Sequence, residues 1–511
     1  KQTTDITRKI LHNKLFAFEN MSNLNPTNNN INSDDFVHIM DVEKTPHPAL
    51  QVKLTPRHDE IGLLSEKKET VQICTTVKAS NLSDENSSRA PVDIVIVLDV
   101  SGSMQGEKLN LCKKTLELLL RELRHEDRFG LVSFADQAVL EIPTRKLTES
   151  NKQAALSKIK NIRTRGCTNL SGGIGMGAQE MRAVETPNAV RTIFVLTDGH
   201  ANQGISDPEG ILAITAGCLS AKPGNETPIT IHTFGYGTDH DHKLLQDISK
   251  TTEGGTYYFV DSDSNVASAF GDALGGVFSV VAQNAVLNIS VPPGSRLTSV
   301  HHDKKSNQVG ESCKVNLGDF YAEESRDVLF EVTLAPGSNV DSSNVPVPHA
   351  YVGLSYLDTI GIKLVDAESV SACISRPNST VLSPPNPHVV VQWLRVQATA
   401  GMAEADRLSR QGNLEAARAK ITSLLSQLRD ESAGAGIESD PLIVQLISDL
   451  NEVMSGLRDT RTYETYGCYV SSAKHQTHTY QRCADADFSS TNVYRSSTKS
   501  RMARKLNQFL D

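Results

Sequence analysis

Positions 94–98 are apolar without a break, Ile-Val-Ile-Val-Leu. A strand with no polar alternation is buried on both faces, as in a parallel sheet with helices on either side. Positions 192–196 repeat the pattern, and 129–134, 229–234 and 256–260 read as further strands. Helical periodicity fills the gaps. Over 106–124 the apolar positions Leu109, Cys112, Leu116, Leu119 and Leu123 are spaced 3-4-3-4, the stripe of a helix facing a core. Shorter helices are predicted over 150–161 and from 241, and a last one over 264–281 with Val266, Phe270, Leu274, Val277 and Val281 inward. Strands alternating with helices of these lengths predict an α/β domain over 91–282 with a doubly wound, mainly parallel sheet.

The flanks read differently. Segments 50–54 and 71–77 alternate apolar and polar, and 285–291, 328–334, 350–357 and 360–365 are strand-like segments of mixed polarity punctuated by Pro and Gly. These are half-buried antiparallel strands. Residues 47–90 and 283–376 are therefore expected to build one antiparallel β-sandwich with the α/β domain inserted into it. A Pro-rich linker, 377–388, leads into a helical region over 389–460. Its first two helices, 389–410 and 414–430, are parted by Gln411-Gly412-Asn413, a hairpin similar to a single tetratricopeptide-type unit, and a third helix spans 441–457. Residues 1–46 form an Asn-rich arm, expected to be mostly disordered apart from a short helix at 10–18, and 461–511 form a Tyr-, Ser- and Thr-rich tail with a basic end. The helical region and the tail are the expected places for self-association or partner contacts.

Charge narrows the partners. A net charge of -9 and the lack of a long basic run argue against nucleic acid. No apolar run reaches the ~18 residues that a membrane span needs. The eight cysteines include no Cys-x-x-Cys pair, and Cys112 falls on the apolar stripe of its helix. This usage favours free thiols in a reducing compartment, so a cytoplasmic location is preferred over a secreted one. Asn-x-Ser/Thr triplets such as those at Asn288 and Asn378 point the other way.

The chemistry lies at the carboxyl ends of the buried strands, where open α/β sheets bind ligands. The first strand ends in Asp99, followed by Ser101 and Ser103. A second loop offers Thr168, and a third, after the strand at 192–196, offers Asp198. Two carboxylates and three hydroxyls form an all-oxygen set suited to a hard cation such as Mg²⁺, with Ca²⁺ or Mn²⁺ as alternatives. With so few carboxylates the cation remains electrophilic, which favours capture of an outside carboxylate over hydrolysis. Neither serine lies in a Gly-x-Ser-x-Gly elbow, so neither reads as a nucleophile. Asp239-His240-Asp241-His242 reads as a helix start rather than a second metal cluster.

Asp99-x-Ser101-x-Ser103 with Thr168 and Asp198 resembles the metal-ion-dependent adhesion site of von Willebrand factor A domains. That resemblance implies that the serines and the threonine bind the metal, and that the aspartates do so directly or through water. Over roughly 47–505 the sandwich segments, the 235–242 stretch, the helical hairpin and the closing region with Gln481-Arg482 are similar to plant A-domain proteins that carry an N-terminal RING finger and act as ubiquitin ligases. The inter-α-trypsin-inhibitor heavy chains are similar over the sandwich and the A domain. No RING cysteines lie in this stretch, so ligase activity does not carry over. The expectation is a non-enzymatic, metal-dependent protein-binding module whose cation takes an Asp or Glu of a partner. The alternatives are the substrate-receptor part of a ubiquitin-ligase-related protein and a secreted matrix or adhesion protein.

Overall fold

The computed structural model describes residues 48–62, 70–81, 89–198, 201–220, 227–237, 240–252, 254–260, 263–303, 305–306, 310–334, 346–482 and 493–510. The Asn-rich arm and its expected short helix lie outside these residues.

Two antiparallel strands, β1 (Leu50–Pro56) and β2 (Thr70–Ala79), precede the α/β domain. That domain then runs β3 (Val92–Asp99), α1 (Glu107–Glu122), β4 (Arg128–Phe134), β5 (Ala138–Lys146), α2 (Glu149–Asn161), α3 (Leu170–Arg182), β6 (Val190–Thr197), α4 (Pro208–Leu219), β7 (Thr230–Tyr236), α5 (His242–Ser249), β8 (Tyr257–Val260) and α6 (Asp263–Val277). Its sheet has the order β5-β4-β3-β6-β7-β8, parallel except for the edge strand β5. Every residue of β3 is buried. Alternate side chains leave a strand on opposite faces. Ile94, Ile96 and Leu98 meet α1, α2 and α6 in one core, and Val95 and Val97 meet α3, α4 and α5 in another. This double cover is why β3 shows no alternation.

After the α/β domain come β9 (Val280–Ser290), β10 (Arg296–His301), β11 (Ser312–Tyr321), β12 (Ser325–Thr333), β13 (Val347–Asp358) and β14 (Lys363–Ile374). They complete two four-stranded antiparallel sheets, β1-β2-β12-β10 and β11-β9-β13-β14. β2 pairs with β12, Thr76 opposite Asp327, so strands from before and after the insertion share one sheet. The sandwich core between the sheets includes Ile73, Val77, Leu287, Ile289, Phe330 and Leu354.

Helices α7 (Pro387–Arg410), α8 (Leu414–Ala435), α9 (Pro441–Gly456), α10 (Cys468–Tyr480) and α11 (Ser497–Leu510) close the chain. The break between α7 and α8 works as the sequence suggests: Gly412 takes a left-handed φ of 79°, and Asn413 caps α8 by accepting from the Ala416 N–H. Asp241 likewise caps α5, accepting from the Leu244 N–H at 3.0 Å.

Several expectations need adjusting. Val281 belongs to β9, because α6 stops at Val277. Ile360 and Ile362 sit exposed in the turn before β14 rather than in a strand. The tail holds α10 and α11, both docked. α11 lies along α6, with Lys499 Nζ 2.8 Å from Asp272 Oδ2 in a buried pair. Behind α10, the buried Arg482 guanidinium donates to Glu324 Oε1 at 2.8 Å on the sandwich and to the Gly254 carbonyl at 3.0 Å on the α/β domain. α3 was not predicted because four glycines lower its helix propensity. Two of them are there for contact: a Cβ on Gly173 would stand 2.7 Å from the Phe134 ring, and one on Gly177 2.5 Å from Val97. The helix thus lies directly on the strands that carry the candidate site.

Candidate metal centre

Strand register brings the loops together. In the parallel β3–β6 pair, Leu98 lies opposite Leu196, so Asp99 and Thr197 leave the sheet at the same level and Asp198 follows at once. The Thr197 hydroxyl donates to Asp99 Oδ2 at 2.6 Å, and the Ser101 N–H donates to Asp99 Oδ1 at 2.8 Å, closing the turn on its own carboxylate. Ser101 and Ser103 hydroxyls are 3.1 Å apart, and the Ser103 hydroxyl donates to Asp198 Oδ1 at 2.7 Å. Four of the five residues singled out from the sequence therefore form one hydrogen-bonded cluster.

Thr168 joins through its loop. The Gly102 N–H donates to the Gly166 carbonyl at 3.2 Å, and the Arg165 N–H to the Val100 carbonyl at 2.7 Å, stitching the second loop to the first. The Thr168 N–H donates to Asn202 Oδ1 at 2.9 Å, and the Asn202 N–H returns to the Thr168 carbonyl at 3.1 Å, stitching it to the third. Asp136 accepts from the Cys167 N–H at 2.9 Å, and Asn169 caps α3 through the Gly172 N–H at 2.9 Å. Asp99, Ser101, Thr168 and Asp198 are buried, while Ser103 is exposed. Four of the five residues are thus buried, and Ser103 brings the cluster to the surface.

Residues 93–272 match the family model for the von Willebrand factor type A domain. This segment is a von Willebrand factor type A domain. Such domains are typically protein-interaction modules. E3 ubiquitin-protein ligase WAVH1 of Arabidopsis thaliana is 26% identical over 438 residues, which cover 80% of this chain and 57% of that protein. Inter-alpha-trypsin inhibitor heavy chain H3 of Mus musculus is 26% identical over 208 residues, covering 39% of this chain and 22% of that protein. The chain thus spans only part of the length of these relatives. A solved von Willebrand factor type A structure from Catenulispora acidiphila shares the fold at a TM-score of 0.58 with 16% identity, covering 82% of this chain and 96% of that one.

The electrostatics of the A-domain pocket suit a cation. Burial raises the Asp99 carboxyl above its ordinary range, and the nearby negative charge of Asp198 raises it further, against the hydrogen bonds from Thr197 and Ser101. Two carboxylates held together away from water are the arrangement that a divalent ion relieves, and an all-oxygen donor set selects a hard ion. The residues therefore fit the group that the sequence motif implies.

One member of the pocket escaped the motif. The Lys108 ammonium, from the first turn of α1, pairs with Asp198 Oδ2. A cation in the first turn opposes the helix macrodipole, so its position there signals a carboxylate partner. Thr197, Asn202 and Asp136 were also missed. They hold the three candidate loops in place and carry no spacing signature of their own.

Proposed function

We propose that this chain is a non-enzymatic protein-binding module that holds a divalent cation, Mg²⁺ foremost, at Asp99, Ser101, Ser103, Thr168 and Asp198, and through it captures an acidic side chain of a partner protein. The observation that carries this reading is the pairing of exposed Ser103 with buried Asp198 beside buried Asp99. When bound, the cation would supply an electrophilic position for a partner Asp or Glu. The protein's own part is positional. Thr197 and the Ser101 N–H orient Asp99, Ser103 orients Asp198, and Asn202 holds the Thr168 loop. Lys108 already offsets part of the pocket's negative charge, which favours capture over tight caging of the ion.

The test is partner capture on immobilised protein with Mg²⁺ or with EDTA. Capture is expected only with Mg²⁺ and is expected to vanish in Asp99→Ala/Ser101→Ala, with cooperative unfolding retained. Equal capture in EDTA would sink the proposal.

A second reading is favoured by the breadth of the WAVH1 similarity, which reaches 80% of this chain, well beyond the A domain. In it, the module is the substrate-receiving part of a ubiquitin-ligase-related protein. It calls for ubiquitin conjugates on the captured partner in cells, which simple adhesive capture does not produce.

A further inference from the structure

Three metal-ligating side chains meet outside the A domain, on the outer face of the sandwich sheet β1-β2-β12-β10. Cys74 and Thr76 share one face of β2, and Asp327 lies on β12 opposite Thr76. His388 is the second residue of α7, which covers this face by packing Val389 against Cys74 and Leu329. The Cys74 Sγ is 3.5 Å from Asp327 Oδ1 and 3.9 Å from His388 Nε2, and Nε2 is 2.9 Å from Oδ1. A tetrahedral zinc ion with ordinary bond lengths spaces S, N and O ligands by about 3.3–3.6 Å, a range that these three edges bracket.

We propose that Cys74, Asp327 and His388 form a second metal site, for a thiolate-accepting divalent cation of the zinc class, which fastens the first helix of the helical region to the sandwich.

Three considerations support it over a purely hydrogen-bonded cluster. Asp327 Oδ1 is approached by Thr76 Oγ1 at 2.5 Å as well as by Cys74 and His388, three groups on an oxygen with two lone pairs. Binding an ion relieves this crowding, because the Cys74 thiol proton, and the Nε2 proton where present, leave to solvent as the metal–sulfur and metal–nitrogen bonds form. A nucleophilic role is disfavoured, because Cys74 is fully buried. Thiol and carboxylate also face the same ring nitrogen, Nε2, whereas a Cys–His–Asp relay needs one on each nitrogen. Finally, the site has a way in. The His388 side chain is 43% exposed, leaving a solvent-facing fourth position beside the Thr76 hydroxyl, 3.2 Å from Nε2. The Arg395 guanidinium is occupied with the backbone carbonyls of Asp327 and His478. The sulfur ligand separates this site from the all-oxygen pocket of the A domain, since Mg²⁺ and Ca²⁺ avoid thiolate.

The probe is Co²⁺, followed by Zn²⁺, added to the chelator-stripped, reduced full chain. With Mg²⁺ in excess to fill the A-domain site, the expected result is a near-ultraviolet thiolate-to-cobalt charge-transfer band that saturates at one Co²⁺ per chain and is bleached by Zn²⁺. Cys74→Ala is expected to abolish the band while leaving exposed Cys167 and Cys373 in place. His388→Asn, a change at a half-exposed side chain, is expected to abolish it as well. Asp99→Ala/Ser101→Ala is expected to retain it. Absence of the band in the parent chain, or its persistence in either Cys74→Ala or His388→Asn, overturns the proposal.

Discussion

Ser103 and Asp198, 95 residues apart in the chain, are joined by a hydrogen bond of 2.7 Å from the Ser103 hydroxyl to Asp198 Oδ1. The bond ties an exposed residue of the A-domain site to a buried one. It also makes Ser103 removable without opening the core. Ser103→Ala is expected to weaken Mg²⁺ binding by at least about 10-fold and to change stability by no more than about 0.5 kcal/mol. Isothermal titration with Mg²⁺ and thermal denaturation read the two effects separately, and unchanged Mg²⁺ affinity would remove Ser103 from the donor set.

Lys108→Met takes a positive charge away from Asp198. If the pocket holds a cation, less competing charge means tighter binding, by about 3- to 10-fold at the effective dielectric of a partly exposed site. Mg²⁺ titration of the variant at fixed ionic strength checks the sign. Weaker binding would mean that Lys108 chiefly holds Asp198 in position.

Arg482 anchors the C-terminal segment. Its guanidinium bonds to Glu324 and to the Gly254 carbonyl, and its centre lies 4.1 Å from the centroid of the Tyr321 ring. Arg482→Met strands buried polar partners and is expected to cost about 3–5 kcal/mol, read as a lower urea midpoint. The double variant with Glu324→Gln should recover part of that loss.

The same network sets an acid limit. Burial alone would raise the Glu324 carboxyl, but Arg326 and Arg482 outweigh it and hold the group down to about 2 from an ordinary 4.5. A carboxyl depressed in the folded state stabilises the fold above its unfolded value, and the gain is lost as pH falls through the folded value. Stability is therefore expected to decline between about 4.5 and about 2, and Glu324→Gln should flatten that decline in acid titrations followed by circular dichroism.

Gly271 on α6 faces Ala503 on α11 so closely that an added Cβ would stand 2.3 Å from the Ala503 Cα. Gly271→Val is expected to lift α11 off the A domain, which hydrogen exchange over 497–510 would register as faster exchange. Unchanged protection there would mean that α6 shifts to accommodate the side chain.

Much of this molecule was legible along the chain. The unbroken run at 94–98 announced a doubly covered strand, and the stripe from Leu109 to Leu123 announced the helix beside it, because burial imposes a period on each element separately. The Asp-x-Ser-x-Ser turn was legible as a candidate site because its three oxygen-bearing side chains sit close in sequence. α3 was hidden because its glycines answer to contact with Phe134 and Val97 rather than to helix propensity. The tail was illegible because its polar residues are buried by ion pairs, Lys499 on Asp272 and Arg482 on Glu324, and composition reads such residues as solvated. By itself, the sequence determined the parallel strands of the A domain, four of its six helices and which loop residues carry oxygen donors. Only the tertiary structure decided that Lys108 meets Asp198, that Thr197 braces Asp99, and that Cys74, Asp327 and His388 converge. Those meetings depend on strand register and on where a helix lands, which arise from packing between segments up to hundreds of residues apart and leave no local period to read.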